Sequence, residues 1–134
     1  MKATLHTDGG ARGNPGLAGV GYVLAIEGRE PITHAEYIGE YTNNQAEYIA
    51  LVHGLARAAA EGVRDIVCYL DSELLVKQLI GAYRVKNAQL KQLFVRVQEL
   101  RRKFDSITFR HIARNKNKEA DRLVNEAIDE HVGR

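Results

Sequence analysis

Apolar and polar positions alternate with a period of two through most of the first forty residues, the pattern of strands that bury one face. Residues 3–7 form one such run, which reaches a turn-like Asp8-Gly9-Gly10. Residues 19–26 form a second, and Ile32–Tyr41 a third after the polar break Glu27-Gly28-Arg29-Glu30-Pro31. The short connection into the third run predicts antiparallel pairing. From Asn43 the period becomes helical, with Ala46, Ile49, Ala50, Leu55 and Ala59 on one face. Thr42 and Gln45 have the spacing of a capping box and Gly62 that of a stop, so a helix of about five turns is expected. Asp65–Leu70 is a compact apolar strand that reaches Asp71, after which Ser72 caps a short helix ending near Gly81. A longer helix is predicted over 88–104, a fifth strand over 107–112 and a last helix from about Asn117 through Leu123, Val124 and Ala127. Three antiparallel strands followed by alternating helices and strands make an α/β fold with a sheet of mixed direction.

Length and composition narrow this to one globular unit. With 134 residues, 45% apolar and 27% charged, and with only two prolines, the chain suits a single domain and not a disordered or fibrous one. Its longest uncharged apolar-rich run, residues 17–26, is far short of the ~20 residues a membrane span needs, so no membrane association is expected. The lone Cys68 excludes an intramolecular disulfide and a cysteine-rich zinc site. No apolar export segment follows Met1, and a cytoplasmic setting is the expectation.

The net charge of +2 conceals a strong asymmetry. Residues 1–83 carry six Lys or Arg against ten Asp or Glu, residues 84–118 eleven against two, and residues 119–134 two against five. A basic block between two acidic ones suits a protein that touches a polyanion on one face and holds cations with carboxylates on another. The alternative is that Lys91, Arg96, Arg101, Arg102 and Lys103 form the solvated side of a helix.

Most carboxylates fall at helix ends or turns, but Asp8 and Asp71 each end an apolar or β-branched strand. If those strands are parallel neighbours, both acids emerge at the carboxyl edge of the sheet, where open α/β folds bind ligands. Glu47 and Asp121 lie early in helices, a placement that helix electrostatics explain one residue at a time. Four acids at the ends of elements that one sheet can bring together are less easily explained by capping. Clustered carboxylates raise each other's pKa, and a divalent cation removes the conflict. All-oxygen ligation selects a hard ion such as Mg²⁺ or Mn²⁺, there being no His/Cys spacing for zinc. Two such ions support in-line displacement at a phosphodiester, hence phosphoryl transfer on nucleic acid.

Four motifs then point to one family. Asp8-Gly9-Gly10-Ala11-Arg12-Gly13-Asn14-Pro15-Gly16, Thr42-Asn43-Asn44-Gln45-Ala46-Glu47, Asp71-Ser72 and Asn117-Lys118-Glu119-Ala120-Asp121 occur in the order found in type 1 ribonuclease H, which the chain resembles along nearly all its length. The resemblance implies one catalytic domain over residues 1–134, with a five-stranded mixed sheet in the order 3-2-1-4-5 flanked by helices. It also implies cleavage of the RNA strand of RNA–DNA hybrids, leaving 3′-hydroxyl and 5′-phosphate ends, by a monomer using two Mg²⁺ or Mn²⁺ ions. Asp8, Glu47, Asp71 and Asp121 would be the catalytic metal ligands, with Asp8 between the ions. Gly9, Asn14, Thr42, Asn43, Asn44, Ser72 and Asn87 would contact substrate. Asn14, Asn43 and Asn44 belong to the minor groove, Thr42 and Asn87 to a DNA-phosphate pocket. Glu47 would also accept from a 2′-hydroxyl, the group that distinguishes RNA from DNA.

The chain also departs from the family pattern. Many relatives carry a basic, tryptophan-containing handle where this sequence has only residues 81–88, and it has no tryptophan. Weaker substrate grip and a secondary activity on double-stranded RNA are therefore expected, with Arg84, Lys86 and Lys91 partly replacing the handle. Glu40 stands where an arginine is common at the phosphate pocket, and no separate N-terminal hybrid-binding domain is expected. Near the last acid, alignment favours Arg114 over His111 as the group that assists product departure. His6, His34, His53 and His131 have no spacing that suggests a site and read as structural or surface residues. The rival readings are a hybrid- or duplex-RNA-binding relative with weak or no turnover, and an exonuclease or strand-transfer enzyme of the same fold.

Overall fold

The computed structural model describes residues 1–133. Five strands, β1 (Lys2–Gly13), β2 (Gly16–Ile26), β3 (Ile32–Tyr41), β4 (Asp65–Leu70) and β5 (Ser106–His111), form one sheet in the order β3-β2-β1-β4-β5. The first three pair antiparallel, and β4 and β5 run parallel to β1, as the crossover rule requires. The helices are α1 (Asn43–Ala60), α2 (Glu73–Leu79), α3 (Ala88–Arg101) and α4 (Lys118–Val132), with a single 3₁₀ turn at Arg114–Lys116. Among the described residues no helix is long and apolar enough to cross a membrane.

The helix starts follow local chemistry. Thr42 and Gln45 form the reciprocal capping box of α1, Ser72 Oγ accepts from Leu75 N to start α2, and Asn87 Oδ1 accepts from Gln89 and Leu90 to start α3. Helix α3 stops at Arg101, three residues short of the expected end. The chain turns there and drives Phe104 into the core, so an apolar residue continued the pattern without continuing the helix.

The sheet is covered on both faces. Helix α1 packs on β1, β2 and α3, while α4 packs on β1, β2 and β3. Leu5, Leu24, Leu51, Leu55, Leu70 and Leu100 are fully or almost fully buried, each contributing roughly 1.5–3 kcal/mol of burial. The buried stripe of α1 is broader than periodicity suggests and takes in Tyr48, Leu51, Gly54 and Ala58, because a sheet and a helix both press on it. Two glycines set how closely the layers approach. A Cβ on Gly9 would lie 2.1 Å from the Ala46 carbonyl oxygen of α1, and one on Gly21 2.7 Å from that of Ala120 in α4.

Candidate active site

Strand β1 does not end at Asp8. It continues to Gly13 as one arm of a hairpin with β2, and Asp8 sits within it opposite Gly21. What ends there is the other partnership, since the parallel ladder with β4 stops at Thr7 and Leu70. Glycines 9 and 10 read as a turn in sequence. In the fold both are strand residues, and Gly9 is kept small by the close approach of α1. The chemical consequence is as expected, for Asp8 and Asp71 leave two adjacent parallel strands at the same edge.

Glu47 reaches this edge from the opening of α1, whose start is held by the Thr42 cap. Carboxylate oxygens of Asp8, Glu47 and Asp71 lie within 4.8 Å of one another. Asp121, in the first turn of α4, adds a fourth acid on the same cleft that acts electrostatically on Asp8. All four line one open cleft of about 470 Å³, together with Asn43, Asn44, Ser72 and Arg114.

Burial and mutual repulsion dominate the electrostatics. Desolvation first, then the charge of Asp71, pushes the Asp8 carboxyl up to about 7, and contact with Asp121 raises it further while Glu47 opposes. Glu47 is held well above the usual carboxylate range by burial and by the charges of Asp8 and Asp71, against which the Gly9 N–H pulls. Glu47 Oε2 is buried without a hydrogen-bond partner. A cluster of oxygen donors that must retain protons or recruit positive charge, with one donor atom unpartnered, fits a hard divalent cation.

The polar residues around the cleft are held by specific bonds. Asn43 Oδ1 accepts from Ala11 N at 2.7 Å, and Asn14 Oδ1 accepts from Asn43 N at 3.1 Å. Because both donors are backbone N–H groups, both side-chain amides are oriented with their NH₂ ends free to donate. Gly9 also lines the cleft. Arg114 stands at the rim in the 3₁₀ turn, its guanidinium 3.5 Å from Asp121 Oδ1. His111, the last residue of β5, is exposed, does not line the cleft, and acts electrostatically on Glu73. Thr42 and Asn87 are likewise outside it. Each caps its own helix, and a Gln45–Gln89 hydrogen bond of 3.0 Å joins the two starts.

Sequence reasoning gave no separate role to Asn117. It is 2% exposed, and its side-chain amide binds both the Asp71 carboxylate and the Thr7 carbonyl. The available signal was an asparagine directly before a helix, which by itself reads as a cap; Asn117 makes no side-chain cap bond here.

Residues 6–127 match the family model described as reverse transcriptase-like. The chain is 44% identical over 126 residues to the ribonuclease HI of Halobacterium salinarum, covering 93% of this chain and 63% of that protein. It is 39% identical over 131 residues to the bifunctional protein Rv2228c of Mycobacterium tuberculosis, covering 96% and 36%. It therefore spans less than two thirds of the length of either relative. The crystal structure of the Halobacterium enzyme superposes with a TM-score of 0.93 at 41% identity, covering 97% of this chain and 99% of that one. That of LC11-RNase H1 in complex with an RNA/DNA hybrid superposes with a TM-score of 0.91 at 41% identity and the same coverage.

Proposed function

Because this chain belongs to the type 1 ribonuclease H family, we propose that it is an endonuclease that hydrolyses the RNA strand of RNA–DNA hybrids and leaves 3′-hydroxyl and 5′-phosphate ends. One observation carries the reading: carboxylates from β1, α1 and the end of β4, distant in sequence, converge within 4.8 Å, with Asp121 of α4 beside them. The hybrid bound to LC11-RNase H1 supports the substrate class.

Asp8, Glu47, Asp71 and Asp121 would hold two hard divalent ions, Mg²⁺ or Mn²⁺, with Asp8 placed centrally because the other three acids all act on its carboxyl. Bound there, such ions supply activation of the attacking water and charge neutralisation at the leaving oxygen. The remaining roles belong to the protein. The oriented amides of Asn14 and Asn43, with Asn44 beside them, donate to acceptors in the minor groove, and Gly9 and Ser72 line the floor. Glu47 accepts from a 2′-hydroxyl, which selects the RNA strand. Thr42 and Asn87, joined through Gln45 and Gln89, hold a phosphate of the DNA strand away from the cleft. Arg114 draws the new 5′-phosphate outward along the rim. The domain acts as a cytoplasmic monomer, with double-stranded RNA as a secondary substrate.

A gel assay of end-blocked RNA–DNA hybrid, duplex RNA and duplex DNA in Mg²⁺ or Mn²⁺ tests the proposal. Internal cuts confined to RNA strands are expected. Retention of hybrid without cleavage in either ion would identify a binding protein instead.

A further inference from the structure

Away from the carboxylate cleft, the fold assembles a second group of metal-binding side chains. His34 and Glu36 alternate on β3, so both point to one face of the sheet, and α1 lays His53 over them. His34 Nε2 is 2.8 Å from Glu36 Oε1 and His53 Nδ1 is 3.8 Å from the same oxygen. The three ligand atoms fall within 4.8 Å of one another. We propose that His34, Glu36 and His53 form a binding site for a borderline transition-metal ion, with Zn²⁺ the best match, distinct from the site for hard cations.

The donor set decides the class of ion. Two neutral imidazoles and one carboxylate suit Zn²⁺ and its neighbours, whereas Mg²⁺ prefers oxygen donors and retains its water. A tetrahedral ion about 2.0–2.2 Å from each ligand sets ligand atoms roughly 3.3–3.6 Å apart. The observed 2.8 and 3.8 Å bracket that spacing, and the third pair lies within 4.8 Å, so the adjustment an ion requires of these side chains is about an ångström. The His34 ring is already ordered by stacking on Tyr22, its cross-strand partner, with ring centroids 5.3 Å apart. All three side chains are between a third and a half exposed, leaving a path for the ion and room for a water as fourth ligand.

The site is separate from the cleft. His53 lies six residues beyond Glu47 on α1, roughly 9 Å along the axis and on another side of the helix. Its ligands come from the edge strand of the sheet and from the helix that carries Glu47. An ion there ties β3, which has a sheet neighbour on one side only, to α1. The sequence conceals the arrangement because His34-x-Glu36 is an ordinary strand alternation and His53 follows seventeen residues after Glu36.

The test is a titration of the whole protein with Zn²⁺, and with Co²⁺ as a spectroscopic substitute, in excess Mg²⁺ that occupies the carboxylate cleft. One equivalent is expected to bind, with Co²⁺ developing visible bands of low-symmetry nitrogen and oxygen ligation and Zn²⁺ raising the melting temperature. His34→Ala and His53→Ala should each weaken binding at least about tenfold, since loss of an outer-sphere partner alone costs that much, while Asp71→Asn should not. Histidine-selective NMR of the unaltered protein keeps the test independent of variant folding. His34 and His53 should shift on Zn²⁺ addition and His6, His111 and His131 should not. The proposal is overturned if excess Mg²⁺ abolishes Zn²⁺ binding, if Asp71→Asn removes it while His34→Ala does not, or if the two imidazoles fail to shift.

Discussion

Asn117 Nδ2 lies 2.9 Å from Asp71 Oδ2 and 2.8 Å from the Thr7 carbonyl oxygen, so one buried amide ties the start of α4 to both central strands. Thr7 is the last residue of β1 paired to β4, and its carbonyl takes Asn117 as partner at that point. Replacing Asn117 by Ala leaves a buried carbonyl unpaired and frees the Asp71 carboxylate to rotate. The expected cost is about 1–3 kcal/mol in denaturant melts, with a fall in kcat larger than any rise in KM. Asn117→Asp should preserve the volume yet reduce activity more, because it sets another negative charge against Asp71. Equal activity of the two variants would remove Asn117 from the positioning of Asp71.

Asp8 gives a prediction in pH. Its carboxyl is pushed up to about 7 in the folded protein, above its unfolded value, so the native state binds the proton more tightly. The stability linked to that proton is fully present below the unfolded pKa and is lost as pH rises through about 7. Metal-free protein should therefore lose stability between about pH 4 and pH 7 on account of this group, and Mg²⁺ should restore it by replacing the proton. Asp8→Asn should abolish hydrolysis, flatten the pH dependence in chelator, and melt no lower than the parent at pH 8. A variant that melts well below the parent in chelator at pH 8 would show that repulsion does not govern the cluster.

Gly9 is a steric prediction at the same spot. A methyl group there would meet the Ala46 carbonyl oxygen at 2.1 Å and the Glu47 nitrogen at 2.6 Å, both backbone atoms that cannot rotate aside. Gly9→Ala must push α1 off β1 and carry Glu47 away from Asp8. Destabilisation of at least the ~1–3 kcal/mol typical of overpacking is expected, together with loss of activity. Gly28→Ala is the control: nothing lies within 4 Å of a Cβ there, though its positive φ makes the change locally strained. Melting curves of the two variants, with hybrid cleavage measured alongside, separate the effects.

These cases show what local sequence can reveal. The starts of α1 and α2 were legible because Thr42 and Ser72 bond to N–H groups within three residues, whereas Asn87, expected only at a phosphate, turns out to cap α3 in the same way. The four acids were legible as strand-end and helix-start residues, although Asp8 earns its place by outlasting β4 and not by ending β1. Gly9 misled because a glycine kept for the approach of a distant helix looks, in sequence, like one kept for a turn. Asn117 with Asp71, and His34 with His53, are joined across 46 and 19 residues, and no periodicity records such encounters.

The role proposed for Arg114 is testable by separating chemistry from product departure. It is 81% exposed and 3.5 Å from Asp121, an ion pair too open to contribute much more than about 0–1 kcal/mol to stability. Arg114→Ala should leave the melting temperature and the single-turnover cleavage rate nearly unchanged while slowing steady-state turnover. His111→Ala, altering a residue outside the cleft, should change neither rate. The reverse result, with His111 controlling turnover, would assign product release to the end of β5.

If the domain grips a polyanion as proposed, the connector between α2 and α3, which carries no long handle, is expected to contribute to that grip. Arg84 and Lys86 are exposed there, and Arg84, Tyr83 and Lys91 line a shallow surface cavity beside it. Tyr83, half-exposed, is steadied by Lys77, whose ammonium sits 5.0 Å from the ring centre. Cations around an exposed ring suit sequence-independent contact with phosphates and a stacked base or sugar. If each cation meets one phosphate, Arg84→Ala and Lys86→Ala should each lower hybrid affinity and reduce the slope of log affinity against log salt by about 1. The single-turnover rate at saturating hybrid should not change, because neither residue reaches the carboxylates. Binding isotherms at several salt concentrations measure the slope, and an unchanged slope in both variants would place the polyanion on another face.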